Sequence, residues 1–152
     1  MKRVFTLFVS LSCFMILLVG CQQLSEEDFY TKTGDAGMAT SDMAVSGETS
    51  ELGIVKYGTA SKDNAYSIEY FDFSNGSKAE SYYNNIVKKY NELFDKKDSN
   101  DVFVKDHNEY TLDTDMFYMK AYRKDTKLVV LSVRDLSYKN TALKVFNNVV
   151  AK

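Results

Sequence analysis

The sequence predicts an α+β domain, a two-layer sandwich in which two long helices cover one face of a mainly antiparallel sheet. The first observation is the order of segments after residue 53, which runs strand–strand–helix–strand–strand–strand–helix. The second is a helical segment, residues 79–94, whose apolar side chains form one continuous face. The third is KLVVLSV, residues 127–133, which is apolar on both faces, as a central strand is. Helices in this order most easily cover one side of the sheet.

The domain opens with two strands, residues 54–60 and 65–73. In the second strand, AYSIEYFDF, the side chains of Tyr66, Ile68 and Tyr70 alternate with polar ones, which is the period of a half-buried strand. The intervening SKDN has the composition of a turn. These features predict two strands joined by a short turn.

Two segments have the period of an amphipathic helix. The first follows SNGS, residues 74–77, which ends the preceding strand and caps the helix. The second lies near residues 137–150 and closes the chain. Their apolar positions repeat at helical spacing, with Ala79, Tyr82, Tyr83, Ile86, Val87, Tyr90, Leu93 and Phe94 in the first and Ala142, Leu143, Phe146, Val149 and Val150 in the second.

Three further strands are predicted between the helices, at residues 102–112, 116–123 and 128–133. A charged loop, residues 95–101, precedes them. The last two strands form a hairpin about the turn KDTK, residues 124–127.

The first 21 residues have the pattern of an export signal. Lys2 and Arg3 precede an apolar run, residues 4–19, that is too short to span about 30 Å of hydrocarbon comfortably. The run ends in LVGC, which resembles the bacterial lipobox. That resemblance implies cleavage after residue 20 and diacylation of the Cys21 thiol, with palmitate-type chains holding the protein at the extracytoplasmic face of the cell membrane. Two acyl chains anchor a protein stably, whereas one binds only marginally.

Residues 21–53 are small and polar and are predicted to be a lipidated tether that lifts the domain, residues 54–152, off the membrane. One part of the tether has a helical signal. Ser25 precedes three acidic residues and the pair Phe29 and Tyr30, which predicts a short helix ending at Gly34.

Two longer stretches, AYSIEYFDFSNGSKAESYYNNI and YTLDTDMFYMKAYRKDTKLVVLSV, resemble small surface lipoproteins of Gram-positive bacteria. The resemblance spans residues 24–152 and rests on the order of elements and on composition. It implies the fold and an extracytoplasmic location. It implies no catalytic or ligand-binding residues.

Composition narrows the classes of partner. Removal of Lys2 and Arg3 leaves 17 of the 19 basic residues against 21 acidic ones, a formal charge of −4. This balance argues against nucleic acid as a partner. Cleavage also removes Cys13, so the mature chain has no disulfide and no free thiol. We expect no cofactor.

Candidates for catalysis are few. His107 is the chain's one histidine, and it has either a solvent-facing position or the role of a base. Asp113 and Asp115 lie two residues apart, which suits an acid–base pair or equally a turn. A zinc site with two histidine ligands is impossible, because the chain has one histidine. The charged loop at residues 95–101 lacks the central glycine and the terminal glutamate of a calcium-binding loop. We therefore predict no metal site.

Tyr118, Lys120 and Tyr122 share one face of a predicted strand and are the candidate binding residues. The alternative is that the tyrosines pack under a helix. We therefore predict a lipid-anchored, non-enzymatic binding or interaction module that recognises an envelope protein or glycan. Two alternatives stay open: an envelope hydrolase that uses Asp113, Asp115 and His107, and a structural or protective surface lipoprotein.

Overall fold

The computed structural model describes residues 24–94, 98–104 and 106–151. A 3₁₀ turn, Leu136–Tyr138, precedes the last helix. In chain order the helices and strands are α1 (Glu26–Asp35), β1 (Ala39–Met43), α2 (Gly47–Glu51), β2 (Ile54–Lys62), β3 (Tyr66–Phe73), α3 (Gly76–Leu93), β4 (Ser99–Val104), β5 (His107–Asp113), β6 (Tyr118–Lys124), β7 (Lys127–Val133) and α4 (Lys139–Val150).

The strands form one seven-stranded sheet in the order β1-β2-β3-β7-β6-β5-β4. Every neighbouring pair is antiparallel. Strand β7 lies at the centre, between β3 and β6, as its two-sided apolar sequence predicts. The α+β class and the antiparallel sheet are confirmed.

The two long helices lie on opposite faces of this sheet, so the prediction that they share one face is not confirmed. Alternation along β7 sends Val129 and Leu131 into a core with α1 and α4, and Leu128 and Val130 into a second core with α3. The fold therefore has three layers. The buried core residues under α1 and α4 include Phe29, Ile68, Tyr70, Tyr118, Tyr122 and Phe146, and those under α3 include Phe71, Phe73, Tyr83, Tyr110, Leu112 and Met119.

The segment predicted as a tether differs in the structure, because its residues 26–51 form α1, β1 and α2. The short helix predicted there is confirmed as α1, and the Ser25 hydroxyl caps it by accepting a hydrogen bond from the Asp28 N–H at 3.0 Å. Phe29 of α1 is fully buried, and β1 pairs with β2 along its whole length. Burial of an aromatic side chain fixes this segment to the sheet.

Helix α1 approaches β2 closely at Gly58. A Cβ atom at this position would lie 2.6 Å from the Tyr30 hydroxyl oxygen and 3.1 Å from a ring carbon of Phe29. Glycine therefore allows the two aromatic side chains to lie directly on the strand. The Tyr30 hydroxyl is buried and has no hydrogen-bond partner among the described residues.

The predicted strand at residues 102–112 is two strands, β4 and β5. They pair as a hairpin in which Val104 lies opposite His107. The other boundaries lie close to those predicted. Asn75 caps α3 by accepting a hydrogen bond from the Lys78 N–H at 3.0 Å, as the SNGS signal predicts.

The predicted signal peptide, residues 1–20, and the lipidation site Cys21 lie outside the described residues. Within the ranges that are described, no helix combines the length and the apolar character needed to cross a membrane.

Candidate functional site: an aromatic cleft beside α3

The three residues predicted to bind a ligand lie on β6, on the face that α4 covers. Tyr118 and Tyr122 are 5% and 6% exposed, so both tyrosines pack in the core, which is the alternative that the sequence left open. The Lys120 ammonium pairs with the Glu109 carboxylate at 3.2 Å and lies 5.8 Å from the ring centre of Phe146. The two tyrosines therefore belong to the core, and Lys120 at its edge is paired with Glu109, so the three do not form an exposed binding patch.

The residues of the hydrolase hypothesis lie at the two ends of β5. His107 begins the strand and Asp113 ends it. At about 3.3 Å per residue, these ends are roughly 20 Å apart. The Asp113 carboxylate pairs with the Lys139 ammonium at 2.6 Å, and Asp115 lies in the β5–β6 turn, which the Thr114 hydroxyl stabilises. The structure does not bring the three groups together.

Both ring nitrogens of His107 contact carboxylates, Nδ1 that of Asp106 at 2.8 Å and Nε2 that of Glu109 at 3.1 Å. Burial acts to raise the pKa of Glu109, but hydrogen bonds and charges from Lys120 and His107 outweigh it, so this pKa lies below its ordinary value. Within the described ranges no group of three His, Cys, Asp or Glu residues is arranged to hold a metal ion.

A cleft of about 260 Å³ opens on the other face of the sheet, between α3 and strands β2, β3 and β7. It is half enclosed, and its walls are mostly aromatic and aliphatic. Clefts that combine apolar walls with a few polar groups are the usual form of a small-molecule site. The lining residues are Thr49, Ile54, Tyr57, Glu69, Phe71, Tyr82, Ile86, Lys89, Tyr90, Met119, Val130 and Ser132.

One wall of the cleft is a stripe along α3. Tyr82, Ile86 and Tyr90 are spaced four residues apart and are half-buried, whereas Tyr83 and Val87 of the same helix point straight into the core. The helical period places the two sets on adjacent faces. In the sequence all five residues belong to one apolar face. Helical spacing alone does not distinguish the half-buried residues at the edge of this face from the buried residues at its centre.

The opposite wall is built on a cross-strand pair. Tyr57 of β2 is directly opposite Phe71 of β3, and their rings stack with centres 4.7 Å apart and planes at 10°. The Tyr57 hydroxyl donates a hydrogen bond to Glu69 Oε1 at 2.6 Å. Glu69 lies two residues before Phe71, so its carboxylate points to the same face of the sheet.

The three tyrosines of the cleft share the field of that carboxylate. Burial raises the pKa of Tyr82 and of Tyr90, and the charge of Glu69 raises both further. Burial is also the largest cause of the raised pKa of Tyr57, and the hydrogen bond from this tyrosine to Glu69 raises the pKa further. In the described part of the chain, Glu69 accepts this one hydrogen bond and forms no ion pair. The cleft therefore combines aromatic walls with one carboxylate that has no ion-pair partner among the described residues.

The aromatic surface continues from the cleft along the end of α3. The rings of Tyr90, Phe94 and Phe117 form a stack with centre separations of 6.0–6.2 Å and planes within 11° of parallel. Such offset stacking holds the rings in fixed orientations. Tyr90 therefore lines the cleft as part of a supported wall.

The chain matches no known family model and no curated protein. A solved structure, that of a GTP binding regulator from Thermotoga maritima, is 9% identical to this chain. The match covers 82% of this chain and 84% of that one, with a TM-score of 0.47. A likeness at this level carries no conclusion about ligand or activity.

Proposed function

We propose that this protein is a lipid-anchored binding module of the bacterial cell envelope, that it is not an enzyme, and that its ligand occupies the aromatic cleft beside α3. The observation that carries the proposal is the set of three tyrosines around Glu69, a carboxylate that has no ion-pair partner among the described residues. Tyrosine provides rigid contact area with a polar tip, which suits recognition. The ligand is a small molecule or a group displayed on an envelope protein or glycan.

The placement of reactive groups favours binding over hydrolysis. General acid–base chemistry needs two positioned groups within hydrogen-bond reach of one substrate. His107 is held between two carboxylates, and Asp113 is paired with Lys139 at the far end of the same strand. The cleft itself offers Glu69 as its single carboxylate among the lining residues.

The cleft can be tested by filling it. We expect the full chain to bind at least one of three probes in saturation-transfer NMR: choline for amines, N-acetylglucosamine for sugars and glycylglycine for peptides. Ile86→Trp places a large ring in a 260 Å³ cleft and is expected to abolish that binding. Asn84→Trp, at an exposed position of the same helix, is the matched control and should bind normally.

Failure of all three probes to bind the chain, or equal binding by Ile86→Trp, would contradict the proposed site. Circular dichroism and thermal unfolding of both variants distinguish a filled cleft from a damaged fold.

The anchor rests on LVGC at residues 18–21 and is tested separately. Cys21→Ala removes the thiol that would carry the lipid, so we expect the variant to leave the membrane fraction of its native host and to lack the lipid mass. Mass spectrometry of the native protein should show a chain that begins at acylated Cys21. An amino terminus at Met1, or an unmodified thiol, would overturn the anchor.

A further inference from the structure

We propose that the cleft recognises a small organic cation, a substituted ammonium group held between the Glu69 carboxylate and the rings of Tyr57, Tyr82 and Tyr90. This inference rests on the proposed function and names the chemical class of its ligand. Aromatic rings attract a cation through the negative charge of their faces, and a nearby carboxylate adds a direct charge interaction.

Glu69 is a carboxylate that has no cationic partner among the described residues. Its side chain is half-buried on the face of β3 that α3 covers, among Phe71, Met119 and Val130. A partly buried carboxylate is normally paired with a cation. Among the described residues, Glu69 accepts a single hydrogen bond, which the neutral Tyr57 hydroxyl donates to Oε1. Its other oxygen, Oε2, accepts none from these residues. A ligand cation would supply the missing partner.

The charge and the size of the cleft both suit a small cation. Glu69, Tyr82 and Tyr90 line the same cleft, and the charge of Glu69 raises the pKa of both tyrosines. The cleft, at about 260 Å³, is smaller than the roughly 300–1,000 Å³ of pockets for drug-sized ligands. It therefore suits a compact head group more than a sugar chain.

Lys89 also lines the cleft and provides a second charge whose removal can be tested. It is exposed on α3 and forms no ion pair with Glu69 or with any other described residue. Its ammonium at the mouth would repel a cationic ligand and compete for the same carboxylate. Removal of Lys89 and removal of Glu69 are thus expected to change cation affinity in opposite directions.

The experiment compares choline with 3,3-dimethylbutan-1-ol, which has the same shape and no charge. In calorimetric titrations of the full detergent-solubilised chain, we expect choline to bind at least about tenfold more tightly than the alcohol. Glu69→Gln retains an acceptor for the Tyr57 hydroxyl and is expected to weaken choline binding by about tenfold or more. Glu27→Gln removes the same charge from an exposed position of α1, on the other face of the sheet, and should bind normally.

Lys89→Met is expected to strengthen choline binding about two- to fivefold, because it removes the competing ammonium. Tyr82→Leu and Tyr90→Leu should each weaken it about three- to thirtyfold. Thermal unfolding of each variant checks the fold. A structural role of Glu69 alone predicts lower stability of Glu69→Gln and unchanged affinity per folded molecule.

The inference fails if the alcohol binds as tightly as choline, if Glu69→Gln binds choline normally, or if Lys89→Met weakens binding. N-acetylglucosamine or glycylglycine that binds in the cleft while choline does not would overturn the cationic ligand and leave the binding module intact. If no probe binds at all, the binding module itself is contradicted.

Discussion

Phe29→Ala is expected to lower the free energy of unfolding by about 3–5 kcal/mol, the usual result of removing a fully buried aromatic ring. Phe29 is 0% exposed, and its ring lies 5.5 Å, centre to centre, from that of Tyr70 on β3. The loss would show that α1 is an integral part of the fold. A flexible tether at this position would instead give a variant as stable as the parent. Urea unfolding followed by circular dichroism measures the difference.

The matched control is Phe103→Ala. Phe103 lies on the edge strand β4 and is 69% exposed, so its removal is expected to change the free energy of unfolding by at most about 0.5 kcal/mol. Equal losses in the two variants would contradict the burial of α1 against the sheet.

Alkaline pH is expected to unfold the protein in a steep transition that begins near pH 10. A raised pKa in the folded state keeps a tyrosine protonated there while the unfolded chain loses its proton near pH 10, so stability is complete below that pH and falls above it. Each such group removes up to about 1.4 kcal/mol per pH unit. Burial chiefly raises the pKa of ten of the eleven tyrosines: Tyr30, Tyr57, Tyr66, Tyr70, Tyr82, Tyr83, Tyr90, Tyr110, Tyr118 and Tyr122.

Several of these groups acting together would remove a typical total stability of about 5–15 kcal/mol within one or two pH units. Tyrosinate absorbance and far-ultraviolet circular dichroism should therefore change at the same pH. Gradual ionisation of most tyrosines while the dichroism stays native would contradict the prediction.

The class of fold could be predicted because its strands and helices have clear periods, but the layering was harder. Val129 and Val130 are adjacent and both buried, as are Tyr70 and Phe71. Consecutive buried residues in a strand require cover on both faces. The apolar pairs are visible in the sequence, where we used the pair Val129 and Val130 to predict a central strand. Because such a strand needs cover on both faces, the same pairs also indicate that the helices lie on opposite sides of the sheet.

The amino-terminal segment could be predicted only in part. Most of its residues are polar, and few of its side chains are buried. The position of Phe29 and Tyr30 depends on Gly58, in a strand more than twenty residues away. A contact between residues so far apart in the chain cannot be predicted from the composition of the amino-terminal segment alone. The strand β1 is exposed at every position, so it carries no apolar period and owes its structure to hydrogen bonds with β2.

The candidate site was missed for a similar reason. Tyr82 and Tyr90 have the same helical spacing as the core residues around them, and Tyr57 lies 25 residues before Tyr82 on a different strand. The cleft forms only where α3 packs against β2, β3 and β7, which lie in separate parts of the sequence. The tyrosines that the sequence did single out, Tyr118 and Tyr122, belong to a strand whose exposure depended on which face α4 would cover.

The early start of α1 limits how far the protein can stand from a bilayer. If a lipid is attached to Cys21, four residues lie between it and Glu26, and the connecting chain can span at most about 18 Å. Seven strands spaced about 4.8 Å apart make the sheet roughly 29 Å wide. That span is shorter than the sheet is wide, so an acylated Cys21 would hold the start of α1, where Glu26 pairs with Lys56 of β2, close to the membrane surface.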